Sequence, residues 1–128
     1  MSEVVLDASA LLALLNREPG HEEVAGTIPH AAISAVNLSE VVAKLAENGM
    51  PEEQIREALE GLALEVHGFE RELAYATGLL RPATRSSGLS LGDRACLALG
   101  IRLELTVMTT DRAWGKLDTK VKIRLARS

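Results

Sequence analysis

Short apolar runs alternate with helix-patterned stretches from one end of the chain to the other, and few folds accommodate that rhythm. Glu3-Val4-Val5-Leu6, Ala31-Ala32-Ile33, Leu62-Ala63-Leu64-Glu65-Val66, Leu105-Thr106-Val107-Met108-Thr109 and Val121-Lys122-Ile123-Arg124-Leu125 read as strands. Between them, helices are expected over residues 8–16, about 21–25, 35–47, 51–61, 69–80 and 91–99. The punctuation agrees: Pro19-Gly20 and Asn48-Gly49 stop helices, Ser34 can cap one, and Pro51-Glu52-Glu53 opens another. Residues 82–88, with their Pro, Thr, Ser and Gly, predict a loop. The fold class this implies is α/β: a single-domain α/β/α sandwich over residues 1–128 with a central parallel sheet of about five strands.

Composition fits such a sandwich. Apolar residues make up 47% of the chain, yet Phe69, Tyr75 and Trp114 are its whole aromatic set, so aliphatic side chains must fill the core. The lone cysteine, Cys96, lies in an apolar run and reads as a small buried hydrophobe rather than a nucleophile. It also excludes an internal disulfide framework, and a reducing, cytoplasmic setting is expected. No signal peptide is read at the start and no run is apolar enough to cross a bilayer. The net charge is −4, but from Arg112 onward six basic residues face one acid, Asp118. That tail is a weak argument for a polyanionic partner.

Aspartate is scarce, and its placement is not casual. Three of the four aspartates, Asp7, Asp93 and Asp111, stand where apolar runs meet helix starts. In an open parallel sheet, strand C-termini and the following helix N-termini line the edge where ligands bind. If the strands before Asp7 and Asp111 are neighbours, both carboxylates enter one crevice. Asp93 can reach it from its helix, and Glu40 from the helix after Ser34. On that helix Glu40 is flanked by Val36, Leu38, Val41, Val42 and Ala43 rather than centred on a charged face. Gathered acids repel one another, and a hard divalent cation removes the penalty, with magnesium or manganese suited to carboxylate oxygens and water. Such an ion would polarise a phosphoryl oxygen and activate a water. Zinc would call for Cys or His, and neither clusters; His21, His30 and His67 read as surface or packing residues.

Each acid also has an ordinary role open to it. Asp7 and Asp111 can be plain helix caps, Ser90-Leu91-Gly92-Asp93 fits a capping box, and Glu40 can be solvated. Among their neighbours, Asn37 sits one turn before Glu40 and can orient it. Ser9 and Thr110 can hold a carboxylate or a water, although backbone capping competes. Arg112 and Lys116, read at i, i+4 spacing, are candidates for phosphate contact, or a solvated face.

Four segments of the chain resemble PIN-domain ribonucleases. The first is Val5-Leu6-Asp7-Ala8-Ser9-Ala10-Leu11-Leu12-Ala13-Leu14-Leu15, with Glu18-Pro19-Gly20 after it. The others are Ser34-Ala35-Val36-Asn37-Leu38-Ser39-Glu40-Val41-Val42, then Leu89-Ser90-Leu91-Gly92-Asp93-Arg94-Ala95-Cys96-Leu97-Ala98-Leu99, then Val107-Met108-Thr109-Thr110-Asp111-Arg112-Ala113-Trp114. They occur in the family's order, and within it the pattern is most similar to VapC-type toxins of toxin–antitoxin pairs. The resemblance implies a five-stranded parallel sheet and an acidic site of Asp7, Glu40, Asp93 and Asp111 holding Mg2+ or Mn2+. It further implies endoribonuclease activity on an RNA substrate, a homodimer, and a cognate VapB-like antitoxin whose C-terminal segment blocks the groove. A helical hairpin over residues 35–59 is a candidate dimer face. The alternatives are a phosphomonoesterase, a phosphoacceptor domain, or a catalytically weak PIN-like RNA-binding or protein-interaction module.

Overall fold

A computed structural model describes residues 1–127; Ser128, the last residue of the expected single domain, lies outside the described residues. Five parallel strands, β1 (Val4–Leu6), β2 (Ala31–Ser34), β3 (Glu65–His67), β4 (Thr106–Thr109) and β5 (Ile123–Leu125), form one sheet in the order β3-β2-β1-β4-β5. The connecting helices are α1 (Ala8–Asn16), α2 (His21–Ala25), α3 (Ala35–Glu47), α4 (Glu52–Glu60), α5 (Arg71–Leu79), α6 (Arg81–Thr84) and α7 (Leu91–Leu103). Among the described residues, no helix is long and apolar enough to cross a membrane.

Alternation along the strands divides the core between two faces. Val5, Ala32 and Val107 pack with Leu73 of α5 and Cys96, Leu97 and Leu99 of α7. Val4, Leu6, Ala31 and Met108 pack with Ala10 and Val24, and Ile33 with Leu11, Val41, Leu45, Ile55 and Leu59. Because side chains alternate with period two, every residue of β1 is buried. This is why β1 reads as an unbroken apolar run.

Two segments depart from expectation. The strand placed at residues 62–66 begins only at Glu65. Leu62 and Ala63 donate their N–H groups to Leu59 and Glu60, prolonging the turn after α4, and Ala63 takes a left-handed φ of 53°. As an edge strand, β3 exposes Glu65 and Val66 and carries no apolar signature. The expected loop at 82–88 is instead α6 followed by a 3₁₀ turn, Arg85–Ser87. Pro82 sits in the first turn of α6, where its missing N–H costs nothing. Thr84 then closes that turn with both its N–H and its hydroxyl on the Leu80 carbonyl.

One glycine locks the chain's end to its beginning. Gly20 has φ +96°, and a Cβ there would lie 2.9 Å from the backbone C and O of Ala126. Strain and overlap act together, so Gly20→Ala is expected to destabilise by about 2–4 kcal/mol. Urea unfolding checks this; a midpoint unchanged from wild type would contradict it.

Candidate functional site

Asp7 follows β1 and caps α1. Its Oδ1 accepts from the Ala10 N–H and the Ser9 hydroxyl, each at 2.8 Å, and its Oδ2 from the Thr109 hydroxyl at 2.5 Å. Thr109 ends β4, which pairs directly with β1. The same threonine oxygen accepts the Asp111 N–H at 3.0 Å, and the Ser9 oxygen accepts the Thr110 N–H at 3.0 Å. In this sheet order the progression reverses between β1 and β4, the switch point at which parallel sheets open a binding crevice. Asp7 is only 5% exposed there. Burial pushes its carboxyl up from 3.8 to about 6; hydrogen bonds from Thr109, Ala10 and Ser9 oppose the rise, and the Asp93 charge adds to it.

Asp93 is the third residue of α7 and completes a capping box: its Oδ2 accepts the Ser90 N–H at 3.0 Å while Ser90 Oγ accepts the Asp93 N–H at 3.1 Å. Glu40, on α3, accepts from Asn37 Nδ2 at 2.9 Å through Oε1. That amide also donates to the Gly92 carbonyl at 3.0 Å, so buried Asn37 braces α3 against the first turn of α7. A Cβ on Gly92 would stand 2.2 Å from Glu40 Oε2, so only a bare backbone at position 92 admits the carboxylate where it lies. Beneath sits Cys96, fully buried, its thiol pushed well above 9 by burial and then by the charges of Asp7, Asp93 and Glu40. Three carboxylates thus bear on one point of α7.

Asp111 is arranged differently. It is exposed and caps the 3₁₀ segment Arg112–Lys116, its Oδ1 accepting the Ala113 N–H at 3.0 Å. Its link to Asp7 runs through Thr109. Among the described residues, no three His, Cys, Asp or Glu side chains form a group that could hold a metal ion between them. The donors nevertheless suit a hydrated ion. In each of the four acids the protein anchors one oxygen, or in Asp7 both with one lone pair of Oδ2 left over, and leaves acceptor capacity uncommitted. All are hard oxygen ligands, and magnesium keeps several waters and binds through one or two carboxylates plus substrate phosphates. No salt bridge involves Asp7 or Asp93 among the described residues, so no cation of the protein's own neutralises them.

The structure revises several expectations. Glu40 is exposed despite its apolar neighbours in sequence and Asp93 is half-buried, so the cost of burying a carboxylate falls on Asp7. Among the described residues the Thr110 side chain makes no hydrogen bond; the hydroxyl that holds Asp7 belongs to Thr109, one residue earlier, whose position at the end of β4 was the available signal. Ser9 donates to Asp7 and Asn37 to Glu40. Arg112 and Lys116 do not share a helical face, because in a 3₁₀ segment with three residues per turn positions four apart diverge. Arg112 borders a hollow with Pro19 and Leu125, while Lys116 borders a different one with Leu97.

The PIN domain family model matches residues 4–120. A search of curated proteins found no match. Among solved structures, a DNA-bound VapBC of Salmonella typhimurium is similar, with a TM-score of 0.73 at 21% identity, covering 97% of this chain and 98% of that one. VapBC2 of Rickettsia felis, bound to a DNA fragment from its promoter, gives 0.73 at 19% identity, covering 94% and 96%. VapBC-1 of nontypeable Haemophilus influenzae gives 0.72 at 18% identity, covering 95% and 96%. At these identities the likeness is one of fold, and it extends the length of the chain. The family model spans all four of the acids, and the chain belongs to the PIN domain family.

Proposed function

We propose that this protein is a Mg2+- or Mn2+-dependent endoribonuclease, acting as a VapC-type toxin of a type II toxin–antitoxin pair. One observation carries the reading: Asp7 stands buried at the sheet's switch point, the charges of Asp93 and Glu40 bear with it on Cys96 of α7, Asp111 is tied to it through Thr109, and each acid keeps acceptor capacity uncommitted. In this reading Asp7, Glu40, Asp93 and Asp111 hold the ion, which supplies Lewis-acid stabilisation of phosphoryl oxygens and an activated water. The chain's own part is orientation. Ser9 and Thr109 fix Asp7, Asn37 fixes Glu40, and Ser90 fixes Asp93. Arg112 and Lys116, approaching from separate sides, are placed to meet phosphates. A single domain spanning the chain and action in the cytoplasm, where transcripts are met, complete the reading.

The three similar structures described above are VapBC structures, which supports a VapB-like antitoxin as partner. An apolar groove of about 440 Å³ between α3 and α4, lined by Leu38, Val42, Met50 and Ile55, offers an antitoxin segment a seat. For the homodimer, α5 is a better seam than the hairpin of α3 and α4, whose Val41, Leu45, Ile55 and Leu59 are buried in the core. Tyr75 and Leu79 of α5 are 65% and 76% exposed. Leu79→Glu is therefore expected to turn a dimer into a monomer by light scattering; wild type that is monomeric at high concentration would refute the dimer.

The deciding experiment is end-mapping of RNA incubated with purified protein and Mg2+, with Glu40→Gln as control. Discrete new ends, lost in the variant and in EDTA, are expected. Cleavage that survives EDTA would refute the metal requirement, and no cleavage at all would favour a catalytically weak binding module.

A further inference from the structure

A large hollow lies beside the carboxylates. A groove of about 700 Å³ runs over α7, with Leu97, Ala98 and Ile101 as its apolar floor. One wall is the helical segment that follows α5, ending at Ser86 and Ser87; the other is the stretch bearing Lys116 and Lys120. The volume lies within the range of small-ligand sites.

Its position ties it to the acids twice. Leu97 stands four residues beyond Asp93 on α7, about 6 Å along the helix and on the same side. Lys116 ends the 3₁₀ segment that Asp111 caps. A strand lying across Asp93 and Asp111 has this groove as its continuation.

Its charge is opposite to that of the chain. The protein carries −4, yet the walls and their flanks bring Arg81, Arg85, Lys116 and Lys120 against a single acid, Asp118. Among the described residues none of these four cations enters a salt bridge or a side-chain hydrogen bond. An apolar floor under uncommitted cations and serine hydroxyls suits a nucleotide: the base lies on aliphatic surface and the phosphates meet lysine. A purely apolar peptide would leave the cations without partners.

We infer that this groove binds a nucleotide of the single-stranded RNA flanking the scissile bond, its base on the half-buried Leu80, Ile101 and Leu117 and its backbone on Lys116 and Lys120. The inference rests on the nuclease reading and adds to it the place where RNA sequence is discriminated. Substrate choice then depends on residues 81–87, which overlap the stretch 82–88 whose sequence reads as a loop.

The test uses the full chain carrying Asp7→Asn, which binds without cutting, and random-sequence single-stranded RNA containing 4-thiouridine. Ultraviolet cross-links are expected on peptides from residues 81–88, 97–101 or 116–120. Lys116→Ala with Lys120→Ala is expected to weaken binding about tenfold at low salt and to flatten the dependence of log affinity on log salt by about 1.4, two single-strand contacts' worth. Ser87→Glu, on the opposite wall, should weaken binding while leaving the fold intact, because all three positions are exposed. Cross-links confined to other surfaces, or affinity and salt slope unchanged in both variants, overturn the inference, including the case in which the lysines hold an acidic protein segment instead. The two readings fail separately: wild type that cuts RNA while the groove variants bind normally refutes only the groove, and cross-links in the groove without cleavage by wild type refute only the nuclease.

Discussion

Replacing Asp7 by Asn should abolish RNA cleavage and, in the absence of metal, make the protein more stable. The two effects have one cause. Asp7 is a buried carboxylate with no cationic partner among the described residues, and burial raises its carboxyl from 3.8 to about 6. Folding therefore favours the protonated form. Below 3.8 the side chain is neutral in folded and unfolded states alike, and the fold bears no penalty. Stability is then lost as pH rises towards and through about 6, and above that the ionised carboxylate costs about 3 kcal/mol. Asparagine has no charge to desolvate. Its Oδ1 can still accept from Ala10 and Ser9, while its amide can donate to a Thr109 hydroxyl that turns towards Ser9, 3.1 Å away.

Urea unfolding in EDTA should thus give a stability difference between Asp7→Asn and wild type that is small near pH 4 and grows to as much as about 3 kcal/mol by pH 7.5. A difference of the same size across that range would show that the charge is not its source. Added Mg2+ should stabilise wild type in proportion to the logarithm of its concentration and leave the variant unmoved. Activity should move the opposite way. Removing one charged ligand withdraws several kcal/mol of transition-state stabilisation, about a thousandfold or more in rate. A variant that still cuts RNA at a tenth of the wild-type rate would remove Asp7 from the centre of the site.

What could be read from the chain, and what could not, divides along physical lines. The buried strands were legible because each face of β1, β2 and β4 meets a helical layer, leaving no charged residue to interrupt them. The edge strand β3 was misplaced because half-exposure permits Glu65 and His67 where a buried strand would not. The acids were legible because a scarce residue type stood at strand ends. Their exposure was not, since apolar neighbours in sequence say nothing about which way the fold turns a side chain. Thr109 was passed over for Thr110 because a one-residue step along a strand exchanges its faces, and only the pairing of β4 with β1 fixes which face meets Asp7. Gly92 and Asn37 depend on a contact 55 residues apart in the chain, beyond any local pattern.

That contact makes Gly92→Ala a sharper test of the site than any loss of a ligand. An added methyl group would fall 2.2 Å from Glu40 Oε2 and 2.5 Å from its Cδ, so the carboxylate must leave its seat. It can do so cheaply, because Glu40 is exposed and its end is flexible. Alanine is meanwhile the better helix former by about 1 kcal/mol, so thermal stability should hold or rise slightly. The site, not the fold, takes the damage. Mg2+ dependence of cleavage should shift to concentrations roughly 10–100-fold higher, the usual consequence of disturbing what orients a ligand. Asn37, which spans Glu40 Oε1 and the Gly92 carbonyl, keeps its backbone partner, so α3 and α7 stay braced. Combining Gly92→Ala with Glu40→Gln should then add little to the loss caused by Glu40→Gln alone, because both act through one carboxylate. Losses that simply multiply would mean that position 92 acts independently of Glu40, and the seat would lose its assigned role.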